Sequence, residues 1–315
     1  MRASYPADAL IFPGSAFMGS RPGRSRAFRR LSPRSYDDDL IGAYPLQQLG
    51  VGDGPLEGRR GNPFTRHHLR RYAYAWTELS TRRGRHLDVG CGSGEFLAVL
   101  AETTDLDCYG VDPNAADLAD VRTTRRPLRL AHVRPGGRLP FSDGRFDSIS
   151  LLDVLEHAES EDALLAEISR VLAPGGLLVV TVPARHIFSA LDPDNIKFRA
   201  PRFHRLAYTA RFGRNAYRRR FADSSNGLFG DMSIGKRDHT NYEREWLVER
   251  LAAHGLDVVR IGGANLFWRW FQIPALLLGR RLGRPFEHLV YLDGRLFRRA
   301  NLFLTAKKVS AFADA

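Results

Sequence analysis

Cysteine is nearly absent from this chain of 315 residues, with Cys91 and Cys108 the only two. That pair has no metal-site spacing and cannot frame a disulfide-stapled domain, so stability must come from buried apolar surface. Lysine is also scarce. Only Lys197, Lys236, Lys307 and Lys308 occur, so 43 of the 47 basic residues are arginine. A net charge of +12 invites a nucleic-acid reading. The arginine skew, alongside abundant Ala and Gly, is equally what a GC-rich bacterial genome produces without any anionic partner. A phosphorylated substrate or a membrane surface is the alternative source of that charge. Long apolar runs are missing as well: nothing approaches the about 20 residues that a spanning helix needs. The early run Ala9-Leu10-Ile11-Phe12 is shorter than a secretory core. These absences fit a reducing, cytoplasmic setting.

What is present is a strand that breaks into glycines. His86-Leu87-Asp88-Val89 reads as a short buried strand, Gly90-Cys91-Gly92-Ser93-Gly94 as a tight turn, and Glu95 onward as a helix carrying Phe96, Leu97, Val99 and Leu100. Alternate glycines let main chain approach a ligand with no side chain in the way, at a helix N-terminus. A dinucleotide fingerprint needs Gly or Ala at position 95, where Glu95 stands, and the Gly-Lys-Ser/Thr of a phosphate loop is absent. A second strand, Asp107 to Val111, ends at Asp112, 18 residues after Gly94. That is close to the spacing of about 20 at which an acid reaches a ribose diol.

The run Asp88-x-Gly90-x-Gly92-x-Gly94 resembles the first motif of class I S-adenosylmethionine-dependent methyltransferases. Leu139-Pro140-Phe141-Ser142-Asp143-Gly144-Arg145-Phe146-Asp147 and Asp153-Val154-Leu155-Glu156-His157 are similar to signatures of the group that includes ubiquinone- and menaquinone-pathway enzymes. Arg170-Val171-Leu172-Ala173-Pro174-Gly175-Gly176 matches that group's R-x-L-x-P-G-G turn. The resemblance covers about residues 84–184. It implies a Rossmann-like α/β fold: a doubly wound, mostly parallel sheet with an antiparallel last strand, plus lid insertions. It also implies S-adenosyl-L-methionine as cofactor, held by Asp88, Gly90, Cys91, Gly92, Gly94, Asp112, Pro113, Leu139 and Asp153. Asp88 would steady the methionine ammonium through the loop. The acid that such enzymes often place before the Leu-Pro-Phe sequence is missing from Val133 to Arg138, so adenine would rest on main chain and on Pro113 and Leu139.

The chemistry would be displacement on a sulfonium methyl, which needs alignment, water exclusion and removal of a proton from an oxygen or nitrogen acceptor. No metal is required. His157 is the first candidate base, against a structural role in its turn; His186 and His239 are further candidates. The acceptor is expected to be a small molecule, a glycan or a lipid-linked compound. An RNA methyltransferase and a non-catalytic cofactor-binding scaffold are the alternatives. No base-handling Pro-Pro-Tyr motif follows the fourth strand, and nucleic acid is not the expected partner.

Residues 1–60, with Arg21, Arg24, Arg26, Arg29 and Arg30 clustered, are expected to be a disordered basic tail. The domain then runs over 61–315, with insertions at about 185–238 and 262–300. A helix from Asn62-Pro63 should put Leu69, Tyr72, Trp76 and Leu79 on one face, in packing or at the cleft. Thr240-Asn241-Tyr242-Glu243 has capping-box spacing and should open a helix that Gly255 stops. In the second insertion, Leu266 to Leu278 joins aromatic and apolar residues to Arg280, Arg281 and Arg284, a composition suited to an acceptor lid or to peripheral contact with a membrane.

Overall fold

The computed structural model describes residues 70–119, 124, 126–268, 270–271 and 279–309. The expected tail and the start of the first helix lie outside these residues. The described helix α1, Arg70–Leu79, buries Ala73, Ala75, Trp76 and Leu79. Strand β1, Arg83–Val89, follows, then α2, Glu95–Thr103, and β2, Asp105–Asp112. After α3 (Ala115–Ala119) come β3 (Arg129–His132), β4 (Phe146–Leu152) and α4 (Glu161–Val171). The long β5, Leu172–Pro183, carries the Pro-Gly-Gly turn at its start.

The first insertion contains α5 (Pro201–Phe212) and a small hairpin of β6 (Leu228–Phe229) and β7 (Met232–Ser233). Then α6 (Arg244–Ala253), β8 (Leu256–Ala264), α7 (Gly279–Leu296) and β9 (Asn301–Lys308) complete the chain. The main sheet has the order β3-β2-β1-β4-β5-β9-β8. Strands β1 to β5 pair in parallel, while β9 runs antiparallel to both β5 and β8. This is the doubly wound α/β architecture, with the antiparallel end that the sequence predicts.

Two apolar layers cover the sheet, as parallel strands demand. Alternation along each strand sorts the residues between them. Leu87, Val89, Ile149, Leu151, Leu178 and Val180 join the layer under α4 and α6. Cys108, Leu152, Leu177 and Val179 join the layer under α1 and α2. Trp76 is 6% exposed and its indole N–H donates to Thr103, and Tyr72 stacks on Phe96, so this face of α1 is a packing face. Phe146 belongs to the opposite layer from its strand parity because the β4–β5 register shifts between Phe146 and Ser148. Its ring meets Tyr109 and Phe141 edge-on, with centroids 5.3 and 4.8 Å away.

Arg170 explains why two of the sequence motifs travel together. Its guanidinium donates to the carbonyls of Leu139 and Phe141 and to the carboxylates of Asp143 and Glu167. The capping-box expectation is corrected. The helix starts at Arg244 with Glu243 at its cap and no side-chain cap bond. The reason is that Tyr242 is claimed by the end of β5: its N–H donates to Pro183 and its carbonyl accepts from Arg185. An extended residue so bridged cannot begin a helix. Strand β8 continues to Ala264, at the start of the second insertion.

Removing the fully buried Phe146 ring should leave a cavity between the motif loop and the sheet. Phe146→Ala is expected to cost about 3–5 kcal/mol in denaturant unfolding. A loss below about 1 kcal/mol would mean that the three-ring contact is not a core element.

Candidate functional site

The sheet order reverses direction between β1 and β4, so a crevice opens beyond their C-terminal ends. The glycine turn fills the β1 side of it. Gly90, Gly92 and Gly94 have φ of 75°, 50° and 71°, in the left-handed region that disfavours a side chain. At Gly90 the need is also steric, because a Cβ there would lie 2.4 Å from Cγ2 of Val154. At Gly92 it is not. A Cβ there would meet no protein atom within 4 Å, so the space above this amide is open.

Asp112, at the end of β2, fixes the turn. Its carboxylate accepts from the Gly92 N–H at 2.8 Å and from the Asn114 N–H at 2.7 Å. Burial pushes its pKa up to about 6, against the lowering effect of those two amides. Asp88, 3% exposed, accepts from the Ser150 hydroxyl at 2.5 Å. Burial raises it to about 7, with Asp112 adding to the effect. Behind it, His86 lies between Ser148 at 3.0 Å and Ser150 at 3.1 Å. Burial lowers His86 to about 3, so its ring is neutral. With Asp88 ionised, Ser150 spends its one proton on that carboxylate. His86 must then donate from Nε2 and accept from Ser148 at Nδ1. The β1–β4 register, which sets His86 opposite Ser148 and Asp88 opposite Ser150, builds this line of polar groups.

The remaining expected contacts fall into place unevenly. Cys91 is buried in the turn, with its thiol pushed well up by burial. Gly94 caps α2 and its carbonyl accepts from Ala98. The Pro113 carbonyl lies 3.1 Å from Nε2 of His132 at the end of β3. Leu139 is packed in the layer that holds Val111 and Ala131, its N–H given to Glu167 and its carbonyl to Arg170. Asp153 ends β4 at a φ of 55° and faces α1, where Arg71 forms an ion pair with it; it also accepts from the Thr181 hydroxyl at 2.6 Å. Sequence reasoning missed Arg71, whose partner lies 82 residues away.

Beyond β4 a single helical turn, Leu155–His157, carries Glu156 and His157. The two histidine rings of His157 and His239 lie 5.0 Å apart, a pairing across the first insertion. His157 is held well below the ordinary histidine range by burial, with His239 adding to it, and its Nδ1 has no hydrogen-bond partner among the described residues. His239 shifts the other way. Burial opposes its charge, but the hydrogen bond to Asp192 and the nearby Asp194 outweigh that penalty and raise its pKa. Asn195 grips the main chain of His239 from both sides, at 2.9 and 3.1 Å. His186 is placed apart from this pair, its Nδ1 accepting from the Phe188 N–H. Nearby, Arg220 binds both oxygens of Asp231 at 2.6 Å. Asp231 acts electrostatically on both Asp112 and His157, so the insertion's hairpin links the glycine turn to the histidine pair.

The sequence matches the family model of a methyltransferase domain over residues 64–260, well over half of the chain. Norajmaline N-methyltransferase of Rauvolfia serpentina is 26% identical over 136 residues, which are 40% of this chain and 47% of that protein. A probable S-adenosylmethionine-dependent methyltransferase of Mycolicibacterium smegmatis is 31% identical over 140 residues, 43% of this chain and 54% of that one. The chain thus spans about half the length of these curated relatives. Among solved structures, geranyl diphosphate C-methyltransferase of Streptomyces coelicolor A3(2) superposes with a TM-score of 0.51 at 14% identity. The alignment takes in 88% of this chain and 94% of that one. A likeness at that identity speaks for the fold alone.

The two buried acids give the ligand-free protein a testable pH signature. Their folded pKa values, about 7 for Asp88 and about 6 for Asp112, lie above those of the unfolded chain. The folded state therefore holds these protons more tightly. The stabilisation is complete below about pH 4 and is lost as pH rises through the folded values. Asp88→Asn is expected to flatten the fall in melting temperature from about pH 5 to pH 8. An unchanged slope would refute the buried-acid account.

Proposed function

The chain belongs to the methyltransferase-domain family, whose cofactor is S-adenosyl-L-methionine, and on that premise we propose that it methylates an oxygen or nitrogen of a small-molecule, glycan or lipid-linked acceptor. The observation that carries the cofactor reading is the open space above Gly92, framed by Asp88 and Asp112. Two acids that are both hard to ionise suit a ligand with an ammonium, a sulfonium and a ribose diol. The cation relieves their mutual repulsion, and the diol can donate to Asp112, whose oxygens have lone pairs to spare beyond the two amides. Asp88 acts through the turn rather than by direct contact, consistent with its burial and its bond to Ser150. The Leu-Pro-Phe and Leu-Glu-His signatures favour the quinone-pathway group as the nearer kin.

The protein's part in the transfer is to align the acceptor with the methyl group, exclude water and take up a proton. The His157–His239 pair is the best-placed proton acceptor. Burial disfavours the charged form of His157, whose Nδ1 has no partner among the described residues, while His239 has the higher proton affinity. An acceptor with an apolar portion is supported by the second insertion. Phe267 and Trp270 there pack on Phe188 of the first insertion, and Trp270 remains 54% exposed. The same exposed aromatic, followed in the sequence by Arg280, Arg281 and Arg284, supports peripheral contact with a membrane surface carrying a lipid-linked acceptor. Among the described residues no helix is long and apolar enough to cross a membrane.

Calorimetry with S-adenosyl-L-methionine and its demethylated product is expected to show binding of both. Asp112→Ala should weaken it by about 1.5–3 kcal/mol, from loss of charged hydrogen bonds. Gly92→Val should abolish it, because the new side chain enters the open space; the positive φ also strains a β-branched residue there, so the melting temperature is read alongside. Absence of heat from the wild-type protein with either ligand at millimolar concentration would defeat the reading.

A further inference from the structure

The ring nitrogen of His239 that Asp192 does not use faces two carboxylates at a distance that is wrong for a hydrogen bond. Nδ1 lies 2.8 Å from Oδ2 of Asp192, an acceptor, so Nδ1 carries the hydrogen. Nε2 is 4.0 Å from Oε1 of Glu156 and also 4.0 Å from Oδ2 of Asp194. On the far side, Nε2 of His157 is 3.9 Å from the same Glu156 oxygen. His239 is 6% exposed and Glu156 1%. Among the described residues, two overlapping groups have ligand atoms all within 4.8 Å of one another: Glu156, His157 and His239, and Asp192, Asp194 and His239.

These separations discriminate between occupants. A proton on Nε2 of His239 would draw one carboxylate in to about 2.7–2.9 Å, the length of a charge-assisted bond. Neither Glu156 nor Asp194 has closed to that distance. Atoms bound to one metal ion at about 2.0–2.2 Å stand about 3 Å apart at right angles and just over 4 Å apart when opposed. The 3.9 and 4.0 Å separations about Oε1 of Glu156 lie between these limits and are too long for hydrogen bonds. The charge points the same way. The buried carboxylates of Glu156 and Asp192 and the partly exposed one of Asp194 lie about His239, with Lys197 as a nearby cation. Asp192 also stands where a second carboxylate orients a ligating histidine through its other nitrogen.

We propose that Glu156, His157 and His239 form a site for a divalent transition-metal ion, with Asp192 orienting His239. Two imidazoles with one carboxylate favour an ion of the zinc or cobalt kind over calcium or magnesium. The sequence reading expects no metal. The signal is divided among the turn after β4, the Asp-Pro-Asp-Asn segment of the first insertion and the approach to α6, which no local spacing joins. An ion here would bind an acceptor oxygen and make its proton easier to lose. With an ion bound, both rings are ligands and the ion takes over the part given above to the histidine pair. That role rests on the methyl-transfer reading; the binding of the ion does not.

The test uses the full chain, stripped with a chelator and titrated with Co2+, whose visible absorption reports nitrogen and oxygen ligation, then competed with Zn2+. A single equivalent of Co2+ should bind and be displaced by Zn2+. His239→Gln, Glu156→Gln and His157→Gln should each weaken binding tenfold or more. His254→Gln, at a surface histidine paired with Asp162, should bind as the wild type does. Melting temperature without metal and affinity for S-adenosyl-L-homocysteine report on folding and on the cofactor site separately. Wild-type protein that takes up neither ion would overturn the proposal. So would binding that survives in Glu156→Gln and His157→Gln, or binding that His254→Gln removes. Metal uptake without cofactor binding would leave the site standing and reject the methyl-transfer reading.

Discussion

A carboxylate kept from water must be satisfied by something else, and for Asp112 that something is main chain. Its two oxygens hold the amides of Gly92 and Asn114, so one side chain fixes the glycine turn on one side and the start of α3 on the other. The turn can accept this only because Gly90, Gly92 and Gly94 take left-handed φ values. The position of α2, which begins at Glu95, follows from the same contact. Burial of this acid leaves it reluctant to ionise, a state that costs stability without a ligand and favours binding of one that brings positive charge or hydroxyl donors.

The first insertion applies the same physics at larger scale. Arg220, Asp231, Lys197, Asp194, Asp192, His204 and His239 bring several charges or potential charges into little space. Isolated, any one of them would be a heavy desolvation penalty. One Arg220 nitrogen reaches both oxygens of Asp231, and Arg220, Lys197 and His157 together outweigh burial to hold the Asp231 carboxyl below its usual range. Asp192 solves it with His239, Asn241 and the Asp194 amide. Removing one member of such a cluster strands its partner, so these groups specify how the insertion seats on the sheet more than they stabilise it.

Much of the fold and half of the site were legible in the sequence, and the division follows contact range. The glycine turn, Asp112 and the alternating strands are local patterns, where identity and spacing within about 20 residues decide the geometry. The pairings Arg71–Asp153 and His239–Asp192 join positions 82 and 47 residues apart, and nothing local in either partner marks the other. Thr240 to Glu243 failed for a related reason. Its capping-box spacing is a real local preference, but the strand edge at Pro183 and Arg185 takes both main-chain groups of Tyr242. A tertiary pair of backbone bonds overrides a capping preference of about 1 kcal/mol.

The two insertions are best understood together. Phe188 leaves the end of β5 and meets Phe267 and Trp270 from the link between β8 and β9. Asp293 of α7, 3% exposed, accepts from the amides of Leu266 and Phe267 and from the Asn265 side chain, where Asn265 holds a φ of 61°. The buried acid of α7 thus fixes the start of the aromatic segment, as Asp112 fixes the glycine turn. Both segments spring from the edge of the sheet where parallel strands end, the same edge at which the crevice opens. Sheet residues are set by packing and leave little room for change. Under the proposed function, specificity for an acceptor would therefore belong to the insertions, where the chain carries the aromatic, histidine and carboxylate groups that the core does not need.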